Sequence, residues 1–177
     1  EAIEICRLSL WIKTAERGKA LTSLDHPIRV GNSVVTDPAV HPKALDWQAA
    51  FPEVFAAGGF DVVIANPPYI RQEWLAPYKP HWEATFKSYH GTADIFTYFY
   101  ERSLGLLCEG GRLALITSGS WVRANFGAPL RKYLAENAAM ESMIDFGEFQ
   151  PFEDAEMVRP TITVLTKRQT GGPMRLF

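Results

Sequence analysis

At 177 residues and 47% hydrophobic, with five Trp and eleven Phe, the chain has the length and apolar content of one globular domain with a sizeable core. A formal charge of −2 excludes a global attraction for a polyanion, so any nucleic-acid contact rests on a local basic patch or on other parts of a longer chain. Cys6 and Cys108 lie far apart without a CxxC or a His at ligand spacing; they indicate neither a zinc site nor a disulfide framework, and read as small buried hydrophobes in a reducing compartment.

The chain opens at Glu1 inside a helical pattern, without Met or a capping signal, and reads as a piece of a longer chain. From Glu1 to about Arg17, Ile5, Leu8 and Ile12 recur at helical spacing, and Gly18 closes the helix. Ile28-Arg29-Val30 is a short strand running into the polar turn Gly31-Asn32-Ser33. Trp47 to Ala57 is weakly helical, and the β-branched, apolar run Phe60 to Ala65 predicts a buried strand followed by the loop Asn66-Pro67-Pro68-Tyr69. Arg71 to Gly91 scatters Trp74, Tyr78, Trp82, Phe86 and Tyr89 among Lys and Pro without a clean period, which predicts an extended loop with one or two short helices. Thr92 and Asp94 can cap a helix through Leu107, and Gly110-Gly111 stops it before the strand Arg112 to Thr117. A helix from Ala128 to Glu136 follows, then strands Met140 to Phe146 and Thr161 to Thr166 around the loop Gly147 to Pro160.

Alternating helices and strands predict an α/β fold with a mostly parallel, doubly wound sheet, closed at one edge by an antiparallel C-terminal hairpin. No signal segment and no apolar run of about twenty residues appears, so a cytoplasmic protein that does not span a membrane is expected.

In such sheets ligands sit beyond the carboxyl ends of the strands, where the Asn66 to Tyr69 loop falls. An exocyclic aromatic amine is a poor nucleophile because its lone pair is delocalised into the ring. Two acceptors aimed at its N–H bonds favour the transition state of attack on a methyl sulfonium. The Asn66 side-chain oxygen and the Pro67 carbonyl are suitable acceptors; Pro68 stiffens the loop, and Tyr69 offers a flat face to a base. Asn-Pro also initiates ordinary turns, so it is the position after a buried strand that favours a site.

Beyond the loop, Phe60 to Glu73 (FDVVIANPPYIRQE), Tyr89 to Phe99 (YHGTADIFTYF), Gly110 to Thr117 (GGRLALIT), Trp121 to Leu130 (WVRANFGAPL) and Ile144 to Pro160 (IDFGEFQPFEDAEMVRP) resemble bacterial N6-adenine DNA methyltransferases of type II restriction-modification systems, including combined restriction and methylation or phage-defence enzymes. The resemblance implies a Rossmann-like S-adenosylmethionine-dependent fold, double-stranded DNA as substrate and a flipped target adenine. It makes Asn66, Pro67, Pro68 and Tyr69 the catalytic loop, Phe152 the second aromatic against the base, and Asn32, Ile95 and Phe99 contacts to the cofactor adenine; no metal is implied. Asn32 stands where the family often has Asp, and Ile95 and Phe99 equally suit a helix core. Arg71, Lys79, Lys87, Arg123, Arg131, Lys132 and Arg159 are basic residues near these loops.

The family's glycine-rich turn after the first strand and the acidic residue ending the second have no counterpart here. Residues 1–177 are therefore expected to be the C-terminal part of a catalytic domain lacking its first two strands, with the cofactor-binding part upstream, a target-recognition domain downstream, and little activity on its own. Amino-methyltransferases for cytosine N4, guanine N2 in ribosomal RNA or protein glutamine share the loop chemistry, and a non-catalytic remnant is a reading from another class.

Overall fold

The computed structural model describes residues 2–15, 24, 27–70, 72–147, 149 and 159–168. The chain divides into two compact units, Glu1–Asp46 and Trp47–Phe177.

In the first unit the predicted amphipathic helix forms as α1, Ala2–Thr14. Its Ile5, Leu8, Leu10 and Ile12 are exposed, as is Cys6, which corrects the expectation of a buried thiol. Gly18 lies outside the described residues. The strand expected at 28–30 does not form. Three residues make a strand only with a partner, and among the described residues of this unit the pairing is a single parallel bridge between Asn32 and Ala44. Val34 and Val35 are fully buried just beyond it.

The second unit opens with α2, Trp47–Ala50, and α3, Pro52–Ala56. Trp47, Phe51 and Phe55 then gather edge to face around Phe60, with ring centroids 5.5 to 6.3 Å away. Gly59, at φ 122°, sits where a Cβ would lie 2.7 Å from the backbone of 106–108, so only glycine lets the chain turn into β1, Phe60–Ala65. The segment 72–85 is helical from end to end: α4, Gln72–Leu75, a 3-10 turn Ala76–Tyr78, and α5, Lys79–Thr85. Next come α6, Phe96–Leu106, β2, Leu107–Ser118, α7, Ala128–Asn137, β3, Ala138–Asp145, and β4, Pro160–Lys167. The N-cap of α6 is Ile95, with no side-chain cap bond, and the Thr97 N–H goes to the Asp94 carbonyl at 3.1 Å.

Among the described residues four strands run in the order β1-β2-β4-β3, with β1 parallel to β2 and β4 antiparallel to both β2 and β3. The C-terminal pair is antiparallel, as expected, but its second member is interior. The connection through α7 carries β3 past one strand position, and β4 returns into that gap, so β3 is the edge. Gly110-Gly111 falls inside β2: between Phe60↔Leu107 and Val62↔Arg112 one residue of β1 faces four of β2, and Gly110 at φ 77° absorbs the excess.

One face of the sheet carries the core, where Phe96, Tyr100 and Leu104, four residues apart on α6, and Leu130 and Leu134 of α7 meet Leu113, Leu115 and Leu165. Burying each such leucine contributes about 1.5–3 kcal/mol. On β1 this layer takes Val63 and Ala65, while Ile64 is 77% and Val62 53% exposed. The buried strand expected here is only half covered: among the described residues β1 pairs with β2 alone and is packed on one face. Cys108 is half-buried, its thiol 3.8 Å from the Asp61 carboxylate.

Candidate active site

The loop Asn66 to Tyr69 leaves the carboxyl end of β1, one strand from the carboxyl end of the parallel β2. Pro67 is buried and pins the loop, while Asn66 and Pro68 are exposed and Tyr69 is 52% exposed. A proline has no N–H to satisfy, so burying Pro67 carries no donor penalty, and its carbonyl stays available as an acceptor beside the Asn66 amide. Burial of the Tyr69 ring, and then the neighbouring Tyr100 phenol, raise the Tyr69 hydroxyl above its ordinary value of 10.0. Tyr69 is therefore neutral across the physiological range, as a stacking face requires.

Tyr100 is fully buried, and its hydroxyl lies 3.1 Å from both Thr117 Oγ1 of β2 and Thr163 Oγ1 of β4. Burial raises its pKa, and its hydrogen bonds oppose the shift. The bond pair ties α6 to two neighbouring strands, near the carboxyl end of β2 and in the middle of β4. Sequence reasoning missed Tyr100, because at four residues from Phe96 it reads as one more core position and its two partners lie in separate strands.

Ser118, ending β2, accepts the Ser120 N–H at 3.2 Å and donates to Ser120 Oγ at 2.9 Å. Gly119 between them donates to the Arg159 carbonyl at 3.0 Å, which extends the β2–β4 pairing one step past Ser118↔Pro160. Both roots of the loop between β3 and β4 are fixed at this same edge: the Phe146 N–H bonds the Pro160 carbonyl at 3.1 Å, and Phe146 and Phe149 stack at 6.2 Å. Phe152 lies outside the described residues.

Ile95 is buried and Phe99 half-buried, one turn apart on the stripe of α6 beside the core stripe. Asn32 belongs to the first unit, where its Oδ1 accepts the Val34 N–H at 3.2 Å and its own N–H bonds the Lys43 carbonyl at 2.6 Å. That leaves the Asn32 amide protons and a second lone pair for a ligand edge. Two of the basic residues support the fold: Arg131 donates to the Trp121 and Ala124 carbonyls at 2.6 and 3.0 Å, and Lys79 to the Gly91 carbonyl at 2.7 Å. Lys87, Arg123, Lys132 and Arg159 are exposed, and Arg71 lies outside the described residues. Among the described residues no group of His, Cys, Asp and Glu is placed to hold a metal ion, and no helix is long and apolar enough to cross a membrane.

The family model of the Eco57I restriction-modification methylase matches residues 1–152. The type II methyltransferase M.XhoI of Xanthomonas vasicola is 38% identical over 117 residues, which make up 66% of this chain and 21% of M.XhoI. The chain therefore spans about a fifth of the length of that relative. Among solved structures, the M protein of the type I restriction enzyme EcoKI superposes with a TM-score of 0.56 at 18% identity, over 98% of this chain and 30% of that one. A putative class I S-adenosylmethionine-dependent methyltransferase from Listeria monocytogenes superposes with a TM-score of 0.50 at 20% identity, over 66% of this chain and 34% of that one. The α/β sheet is that of the S-adenosylmethionine-dependent methyltransferases.

Proposed function

The chain belongs to the Eco57I restriction-modification methylase family, and from that premise we propose that it carries the target-base half of a site-specific DNA methyltransferase acting on the N6 amino group of a flipped-out adenine in double-stranded DNA. The supporting observation is the loop at the carboxyl end of β1, with Asn66 and Tyr69 exposed and Pro67 buried.

In this reading the Asn66 Oδ1 and the Pro67 carbonyl accept the two N–H bonds of N6, directing its lone pair toward the donor. S-adenosylmethionine, when bound, supplies an electrophilic methyl group; the new N–C bond forms as the sulfonium S–C bond breaks, and N6 then loses a proton. Tyr69 stacks on one face of the adenine and Phe152 on the other, offsetting part of the cost of unstacking, at about 1–3 kcal/mol per aromatic contact. Asn32, Ile95 and Phe99 contact the cofactor's adenine. The free amide protons of Asn32 suit a ring nitrogen, and the partly exposed Phe99 suits an aromatic ligand face.

Residues 1–177 are, in this proposal, the C-terminal part of one catalytic domain in a longer cytoplasmic protein. Such a protein supplies the glycine-rich cofactor turn upstream and a target-recognition domain downstream. The short share of M.XhoI that the chain covers supports this.

The test is methyl transfer by the full-length protein from labelled S-adenosylmethionine to duplex DNA, followed by nucleoside analysis. N6-methyladenine is the expected product, and N66A and Y69A each lower kcat by about a hundredfold or more, the scale of a lost oxyanion-type contact. Y69F stays within about threefold, since the phenol is neutral and its ring carries the stacking. Methylcytosine as the product, methylation confined to RNA or protein, or near-normal turnover in N66A overturns the reading.

A further inference from the structure

The aromatic-rich segment after the catalytic loop separates into two populations. Trp82 is 1% exposed, Phe86 is buried, and Tyr78 and Tyr89 are half-buried. These rings pack on one another and on Tyr98 of α6, with Trp82 and Tyr98 4.6 Å apart and Phe86 and Tyr98 5.3 Å apart. Trp74 stands apart at 73% exposed, although its neighbour Leu75 is 1% exposed.

That pairing fixes an orientation. A buried Leu75 anchors α4, and adjacent residues of a helix face about 100° apart, so the indole is held away from the side that Leu75 buries. The platform under it is stiff: residues 72–85 are continuously helical, Lys79 Nζ holds the Gly91 carbonyl at 2.7 Å, and the Glu101 carboxylate holds the Lys87 and Ser88 N–H groups at 3.0 and 2.7 Å. Exposing an indole forfeits a large apolar burial, and nothing in the packing of this segment requires it.

A protein interface is a contiguous apolar patch with a polar rim. Here the exposed residues that follow it are Ala76 and Pro77, then Pro80, Glu83, Thr85 and Lys87 among others, and among the described residues of the segment none of the other exposed side chains is a large hydrophobe. One aromatic on a stiff support, among small and polar side chains rather than other large hydrophobes, suits insertion between the bases of a duplex, as apolar wedges insert at unstacked steps. Trp74 follows Tyr69 by five residues, a reach of at most about 17 Å. A flipped base leaves a gap in the stack and an unpaired partner base at its edge, within that range of the pocket.

We propose that Trp74 enters the gap left by the target base and stacks on the base orphaned opposite it, making it a positioning residue for base extrusion. This rests on the base-flipping reading above; it adds a second aromatic contact, to the strand that is not methylated.

The test uses the full-length protein and a duplex bearing its own methylation sequence, identified from methylated host DNA, with 2-aminopurine at the target position. Wild type brightens the probe on binding. W74A binds the matched duplex about tenfold more weakly, the scale of one lost base–aromatic stack, and brightens it less, with W74F in between and thermal stability unchanged. On a duplex with an abasic site opposite the target no orphan base exists, and the difference between wild type and W74A shrinks to within about twofold. Equal affinity and brightening in wild type and W74A overturn the proposal, as does an equal loss on both duplexes or a change in oligomeric state with DNA binding intact. In those cases N66A still abolishes transfer and the base-flipping reading survives. Wild-type protein that neither binds nor brightens the matched duplex takes down that reading and this one together.

Discussion

The Glu101 carboxylate accepts the backbone N–H of Ser88 at 2.7 Å, linking α6 to the end of the aromatic segment across thirteen residues of sequence. Its other oxygen takes the Lys87 N–H at 3.0 Å. Ser88 is fully buried, so this N–H has no easy recourse to water once its acceptor is gone. E101A is expected to cost about 1–3 kcal/mol locally, the desolvation penalty of an orphaned donor. Hydrogen exchange across 86–91 then speeds up at least about fivefold, since 1 kcal/mol is about a factor of five in the opening equilibrium. E101Q keeps one acceptor oxygen and should fall between wild type and E101A. Unchanged exchange in E101A refutes the anchoring role.

Gly119 and Thr161 form a second dependency, where β2 ends beside the start of β4. A Cβ added at Gly119 would run into Thr161 Oγ1, and its next contact, Thr161 Cβ, lies at 3.5 Å, an ordinary distance. Thr161 is fully buried and cannot swing out to solvent. G119A should therefore push β4 away from the end of β2, lower the melting temperature by several degrees through a loss of about 1–3 kcal/mol, and reduce methyl transfer. Removing the obstructing hydroxyl in T161A should restore most of both when combined with G119A. A double variant no better than G119A alone would show that another contact sets the requirement for glycine.

How far the sequence could be read depended on how local each feature is. The helices 96–106 and 128–137, the strands flanking 147–159 and the position of Asn66 to Tyr69 at a strand end all follow from periodicity, glycine and proline placement, and alternation within a few residues. Non-local features were beyond it. The run Phe60 to Ala65 is apolar enough for a central strand, and nothing within those six residues reveals that, among the described residues, β1 pairs with β2 alone and leaves Ile64 open. The insertion of β4 between β2 and β3 reflects pairing over tens of residues. Trp74 and Trp82 are both tryptophans in a segment without a clean period, and only packing separates the exposed one from the buried one. The Tyr100 hydroxyl bonds to Thr117 and Thr163 join three elements and leave no mark on any one of them.

Tyr100 makes the pH response of the fold predictable in sign. Its folded pKa is raised, with burial the largest cause, above an unfolded value near 10.0. Below the unfolded value both states keep the proton, and the full stability is present. As pH rises past it, the unfolded chain releases the proton while the folded chain holds it, so stability falls with alkali. Tyr98, raised by burial, and Tyr133, raised to about 12 with burial again the largest cause, act in the same direction. Denaturation midpoints should decline from about pH 10 upward. Y100F removes one of these groups and flattens the decline, although it also leaves Thr117 and Thr163 without their shared partner and so starts from a lower stability at neutral pH. A decline as steep in Y100F as in wild type would remove Tyr100 from this account.

The last prediction concerns the 177 residues by themselves. The proposed cofactor contacts of this chain are Asn32, Ile95 and Phe99, and the sequence has no glycine-rich turn after a first strand to take the methionine part. Such turns hold charged ligand groups through backbone N–H bonds, a contribution that two apolar side chains cannot replace. Val62 and Ile64 add a second consideration, because a parallel pair such as β1–β2 is ordinarily buried on both faces, while β1 is open on one. Calorimetry on this chain should accordingly show binding of S-adenosylmethionine weaker than about 100 μM, that is, worth less than about 5.5 kcal/mol. The full-length protein should bind it in the micromolar range. Micromolar binding by the 177 residues alone would mean that the pocket is complete without further strands, and that the division of the site into a base half and a donor half is wrong.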